Sequence, residues 1–262
     1  MTRLSRTPMT AALFALLAVA NSAPAEEGYG DLTGQFVLDG EIPKPQLLHK
    51  KGDPTVKDGT VCAADDVYGD DLVVDAATKG VANVFVYLTA KDGKAVKLHP
   101  SLKESAEKEV VFDQKGCVFI PHAMFVRADQ QVMVLSDDAI AHNTHTYTVK
   151  NEAVNFLVPP KLRKGIPIKF TDSETVPMPV KCDIHPWMRA RWLILEHPFA
   201  AVTDAKGKFK IAKLPAGDYK FRTWHERAGY LNREWAVSIK SGKDTDAGVV
   251  KVPAEKVSKP AE

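Results

Sequence analysis

Apolar and polar residues alternate with period two through most of the chain, the pattern of strands with one buried face rather than of helices. Gly30-Asp-Leu-Thr-Gly-Gln-Phe-Val-Leu-Asp-Gly40 alternates in this way and ends on an Asp-Gly turn. Residues 81–88, Val-Ala-Asn-Val-Phe-Val-Tyr-Leu, are rich in β-branched and aromatic side chains and predict a strong strand. Between them, residues 41–70 collect prolines, lysines and aspartates and predict a long loop. Alternation resumes at Phe119-Ile-Pro121, Phe125-Val126-Arg-Ala-Asp129 and Val132-Met-Val134. Further on, residues 201–211 and 214–224 predict two strands joined by a Leu-Pro-x-Gly turn, and residues 253–262, mixing Pro, Lys and Glu, are expected to be disordered. The prediction is an all-β chain.

One segment breaks the pattern. Residues 1–25 carry Arg3 and Arg6, an apolar run from Ala11 to Ala20, and the small-residue triplet Ala23-Pro24-Ala25. This is the layout of a secretory signal peptide cleaved after Ala25. Its apolar run is well short of the roughly 20 residues of a membrane-spanning helix. The expected location is therefore periplasmic or secreted, with no membrane span in the mature chain. The full chain has 35 Lys+Arg and 33 Asp+Glu. Without the two arginines of the signal the charges balance, so nucleic acid is not an expected partner. Residues 26–262 suit one large or two small domains.

The chain has three cysteines, Cys62, Cys117 and Cys182. Exported cysteines usually pair, so an odd one needs a reason. Cys182, His185 and Met188 stand three apart on a segment interrupted by Pro186, which favours a tight loop over a helix interior. Such a loop can aim a thiolate, an imidazole and a thioether at one point. His142, followed by Asn143 and His145, offers a further imidazole upstream. Two His and one Cys with a weak axial Met suit copper and electron transfer, whereas structural zinc sites use closed Cys/His tetrahedra. A covalent haem motif is absent, and a binuclear copper centre would need a second nearby cysteine.

At these residues the sequence resembles the cupredoxins, the type 1 blue copper proteins, and most closely their amicyanin/plastocyanin-like members with a short ligand loop. The resemblance covers residues 110–197 and keeps the order His, Cys, His, Met. It implies one type 1 copper per chain, with His142 and His185 as imidazole ligands, Cys182 as thiolate and Met188 as axial ligand. Asn143 would steady the cysteine loop from behind. Trp187 departs from the pattern and is expected beside an exposed edge of His185. With Cys182 on the metal, Cys62 and Cys117 are left to pair. Among the other histidines, His145 is expected to support the site or to be structural, and His122 to be a capping or surface histidine. His225 is the best remaining candidate for a second site, with a strand-end histidine held by Glu226 as the plainer expectation.

The flanks are similar to a carboxypeptidase regulatory-like β-sandwich. The implied architecture is a cupredoxin Greek-key β-sandwich, residues 106–198, inserted in or followed by that smaller sandwich, residues 26–105 and 199–252. Pattern alone leaves insertion and series arrangement open. The expected function is electron transfer rather than enzymatic catalysis: electrons would pass through the exposed edge of His185 to an exported partner such as a c-type cytochrome or a dehydrogenase. Arg189 and Arg191 would favour an acidic partner or form a solvated basic face. The alternative is a copper-handling or ligand-binding protein in which copper is structural, sensory or in transit.

Overall fold

The computed structural model describes residues 28–260, so the expected signal segment lies outside the described residues. The chain is all-β and forms two sandwiches. In the first, strand Tyr29–Asp39 pairs antiparallel with Lys208–Pro215 and parallel with Thr245–Pro253. The facing sheet orders Ala200–Val202, Phe85–Tyr87, Gly217–His225 and Gly229–Ile239. Strands from both ends of the chain are thus interleaved in the same two sheets. Their inward residues, including Leu32, Phe36, Val86, Phe209 and Phe221, make one core. Where the two ends cross, Gly207 adopts φ +74°, and a Cβ on it would lie 2.2 Å from the Phe36 carbonyl oxygen, so only glycine fits.

Residues 109–195 build the second sandwich. One sheet orders Asn155–Val158, His142–Thr146, Met178–Lys181, Arg189–Leu195 and Ala123–Arg127. The other orders Ile166–Lys169, Gln131–Val134, Glu109–Lys115 and Val118–Ile120. Phe112, Val132 and Ile168 from one sheet meet Val126, Val180 and Trp192 from the other in a single core. The chain crosses repeatedly between the sheets, as a Greek-key arrangement requires.

The two sandwiches share a seam. In Arg189–Leu195, Trp192 and Ile194 enter the second core, while Leu193 and Leu195 point the other way. There they meet Phe85, Tyr87 and Trp224 of the first sandwich. Burial on both faces explains the unbroken apolar run Trp192–Leu195, which a one-sided strand would not carry. It likewise explains Phe85–Tyr87, where Val86 faces one core and Phe85 and Tyr87 face the seam.

Three local expectations are corrected. The strand expected over 81–88 is only Phe85–Tyr87, because Asn83 adopts φ 62° and bends the chain before it. The expected loop 41–70 contains strands Leu47–His49 and Val67–Tyr68 and a short helix Gly59–Cys62. It is ordered by docking: Val56, Cys62 and Ala63 belong to the core of the second sandwich, and Cys62 is bonded to Cys117. The expected disordered tail, 253–262, begins with a 3-10 turn Ala254–Lys256, and Val257 is fully buried in the first core.

A fourth correction concerns His122, which is not a surface or capping histidine but is buried between two carboxylates in an ionic knot that also ties the sandwiches. His122 lies 2.6 Å from Glu226 and 2.9 Å from Asp70, and Glu226 also accepts from Arg191 at 2.9 Å. Burial works against the imidazolium, yet Asp70 and Glu226 together raise the His122 pKa to about 10. Its stabilising contribution is therefore complete below the unfolded value near 6.5 and is lost as pH rises through 10. His122→Leu is expected to cost about 3 kcal/mol at pH 7, with the gap from the parent narrowing as urea unfolding is repeated toward pH 10. A penalty independent of pH would contradict this assignment.

Candidate metal centre

Strand pairing brings the candidate ligands together. Strand Met178–Lys181 runs antiparallel to His142–Thr146, with Lys181 opposite His145, so Cys182 emerges beside Asn143 and His142. Alternation points Val180 and then Cys182 into the core. The chain then turns back on itself: Met188 N–H donates to His185 O at 2.9 Å, and Cys182 N–H donates to Met188 O at 3.2 Å. Pro186 cannot donate to the backbone, so the turn does not extend into a helix. Cys182, His185 and Met188 all end in the interior.

The side chains converge. Nδ1 of His142 and Nδ1 of His185 are 3.0 Å apart, and Cys182 Sγ is 4.0 Å from His185 Nδ1. His142, Cys182 and His185 offer ligand atoms all within 4.8 Å of one another. Both histidines are 0% exposed and Cys182 is 1% exposed, so this convergence is dry. Each imidazole is held from behind by a carboxylate. His142 Nε2 is 2.8 Å from Asp138 Oδ2, and His185 Nε2 is 3.0 Å from Asp58 Oδ2. With Nε2 donating to a carboxylate, each ring turns Nδ1 inward as its nitrogen for a metal, once the proton the two Nδ1 atoms share is displaced.

The supports are as specific as the ligands. Asp138 also accepts from Gly116 N–H at 2.6 Å and Cys117 N–H at 2.9 Å, the two positive-φ residues of a tight hairpin turn. Asp58 opens helix Gly59–Cys62 with φ 54° but makes no cap to that helix; its carboxylate goes to His185 instead. A non-glycine residue in this region costs free energy and is often found at functional sites. The disulfide Cys62–Cys117 joins these two supporting segments. Asn143 clamps the ligand loop: its N–H donates to Cys182 Sγ at 3.5 Å, and its Oδ1 accepts from Asp183 N–H at 2.7 Å.

Electrostatics prepare the thiolate. Burial raises the Cys182 pKa, but hydrogen bonding with His142, then His185 and the Asn143 N–H, outweighs it and brings the value down to about 6. Burial depresses His142, but Asp138 and then Cys182 overcome this and lift it to about 9. The Asp138 carboxylate, penalised by burial, is held below the usual range by His142 and the two turn N–H groups. A thiolate and two imidazoles form a mixed soft and borderline donor set, with Met188 buried in the same core. Three donors of this kind fit copper in either oxidation state and fall short of the closed four-ligand tetrahedra of structural zinc. A second grouping, Cys117, Asp138 and His142, is not a metal site because Cys117 is spent in the disulfide.

Several expectations change here. His185 has no exposed edge: Asp58 covers its outer nitrogen, and Trp187 lies with its ring centroid 5.2 Å away. Trp187 is itself fixed, donating from Nε1 to Cys117 O at 3.1 Å and meeting His49 edge-on at 4.3 Å. Arg191 is not available to a partner, since Glu226 holds it. His225 is fully buried and accepts from Arg227 N–H, while Glu226 holds His122 rather than His225. His145 is half-buried, next to Asp183 and stacked on Tyr147. Asp58 and Asp138 escape sequence reasoning. Asp138 stands four residues before His142, a faint signal, whereas Asp58 is 127 positions from His185 and carries none.

Neither a family model nor a curated protein matches the chain. Among solved structures it is similar to a Met-to-Gln variant of amicyanin with Cu(I), at 17% identity and TM-score 0.30, covering 33% of this chain and 82% of that one. It is also similar to a reduced Pro-to-Phe variant of amicyanin, at 18% identity and TM-score 0.29, covering 35% of this chain and 86% of that one. An oxidised Pro-to-Ala variant of amicyanin gives 19% identity and TM-score 0.29, with the same coverage. Likeness this distant, over a third of the chain, says nothing of its chemistry.

Asp58→Asn and Asp138→Asn keep the size of each side chain and remove the charge behind each imidazole. Each is expected to weaken metal binding at this centre by about 10- to 100-fold, read by titration against a competing chelator. Unchanged affinity in both variants would remove the carboxylates from the account.

Proposed function

We propose that this chain is an exported type 1 copper protein that carries single electrons, with His142, Cys182 and His185 holding the metal and Met188 as the weak axial ligand. The observation that supports it is the dry convergence of two Nδ1 atoms and one low-pKa thiol, each held in place before any metal arrives. A bound copper would supply one-electron Cu(II)/Cu(I) chemistry. The residues do the rest. Cys182 is poised to ionise, so little proton work accompanies its own binding to the metal, while His142, lifted to about 9, gives up a proton there. Asp58 and Asp138 fix both rings, and Asn143 fixes the loop, which limits movement between oxidation states. Burial keeps water from the open sides of the site.

The same burial speaks against copper in transit. A cargo site needs a ligand that a donor protein can reach, whereas Cys182 is 1% exposed behind a segment stapled by a disulfide. Among the described residues no helix is long and apolar enough to cross a membrane. In this reading the exchange partner is an exported redox protein, of the c-type cytochrome or dehydrogenase kind, that docks away from His185 itself.

Loading the purified full chain with Cu(II) is expected to give an intense blue colour from thiolate-to-copper charge transfer, at one copper per chain. Cys182→Ser is expected to abolish the colour. A colourless product, or two coppers per chain, would refute the proposal.

A further inference from the structure

A cavity of about 560 Å³ opens beside the ligand loop. Its walls come from three distant stretches: Gln46, Leu48 and residues 69–71 from the N-terminal flank, His122, Pro186, Trp187 and Arg189 from the second sandwich, and Glu226 and Pro260 from the C-terminal flank. Leu48, Pro186, Trp187 and Pro260 make it mainly apolar, and Leu47 and Tyr68, on the two short strands of the same region, are 38% and 50% exposed. The volume lies in the range of small-molecule sites, which favour junctions between domains. A concave hollow of this size suits a small molecule better than a flat protein surface.

The polar groups limit what fits. Glu226 and His122 are buried and paired through His122 Nε2, and Glu226 also holds Arg191. Asp71 is taken by Arg227 at 2.7 Å. Asp70 is different: its side chain is 36% exposed, and among the described residues its ion-pair contact is from Oδ2 to the His122 ring. Its exposed carboxylate offers an acceptor to a ligand's donor. Three carboxylates (Asp70, Asp71, Glu226) stand against four cationic groups (His122, Arg189, Arg191, Arg227) around the cavity. Neither a strongly cationic nor a multiply anionic ligand is called for. Flat apolar walls, an exposed carboxylate acceptor and a small net charge describe a neutral aromatic ring bearing a hydroxyl.

We propose that this cavity binds a small phenolic compound of one or two rings, its ring between Trp187, Pro186 and Leu48 and its hydroxyl donated to Asp70. Such a ligand sits one ring away from His185, through Trp187.

The test uses the metal-free full chain with its disulfide intact, titrated by calorimetry with 2-naphthol, hydroquinone and, as an aliphatic control, cyclohexanol. The two phenols are expected to bind at one site with Kd of about 0.1–1 mM, and cyclohexanol at least about tenfold more weakly. Gly69 lines the cavity, and an added Cβ there meets nothing nearer than 3.4 Å, so Gly69→Leu fills the space without a backbone clash. It is expected to weaken 2-naphthol at least about tenfold, and Asp70→Asn about three- to tenfold. In the parent protein, the Trp187 indole N–H resonance, identified by its loss in Trp187→Phe, is expected to shift as 2-naphthol is added. That reading needs no cavity variant to fold. No saturable binding by about 10 mM, undiminished binding to folded Gly69→Leu, equal binding of cyclohexanol, or an unmoved Trp187 resonance would each overturn the proposal. Because no metal is present, a negative result leaves the copper reading standing, and a colourless copper-loaded protein leaves this binding standing.

Discussion

Two imidazole nitrogens and a thiol lie within a few ångströms of each other in a dry interior, and that arrangement has to be held. Bare imidazoles in such a place would be free to turn either nitrogen inward. A carboxylate behind each ring removes that freedom, because Nε2 can then only face outward. Much of the surrounding structure supplies those two carboxylates. Asp138 is pinned by the N–H groups of a two-residue turn, and Asp58 sits in a left-handed conformation at the start of a four-residue helix. The Cys62–Cys117 bond connects the two supports.

The flanking chain therefore takes part in the centre. Residues from the N-terminal flank enter the core of the second sandwich at Val56, Cys62 and Ala63, close the outer side of His185 through Asp58, and pack His49 on Trp187. The seam through Leu193 and Leu195 fixes the first sandwich against the strand that directly follows the ligand loop. The His122–Glu226–Arg191 knot does the same at the edge of the cavity. A simple sandwich with an open histidine edge would need none of this. The composite architecture gives a covered centre with a shaped hollow next to it.

What was legible in the sequence follows from locality. Cys182, His185 and Met188 fall in seven residues, and the alternation of their neighbours reveals strands, so the loop could be read directly. Tyr29–Asp39 and the strands around residues 208–225 announced themselves by period-two patterning and turn residues. The stretch 41–70 could not be read, since its order comes from burial against a core more than fifty residues away and not from its own propensities. Val257 is similar: one apolar residue in a polar tail finds a slot that only the assembled sandwich creates. The covered edge of His185 was hidden for the same reason, because Asp58 reaches it across 127 positions.

The central claim is that both histidines bind metal through Nδ1 while a carboxylate keeps the proton on Nε2. It is tested most directly by ¹⁵N NMR of the histidine side chains as one equivalent of diamagnetic Cu(I) is added to the full chain. The account predicts that Nδ1 of His142 and of His185 both move to metal-bound shifts while both Nε2 atoms stay protonated. Coordination through either Nε2, or a response from only one of the two rings, would contradict it.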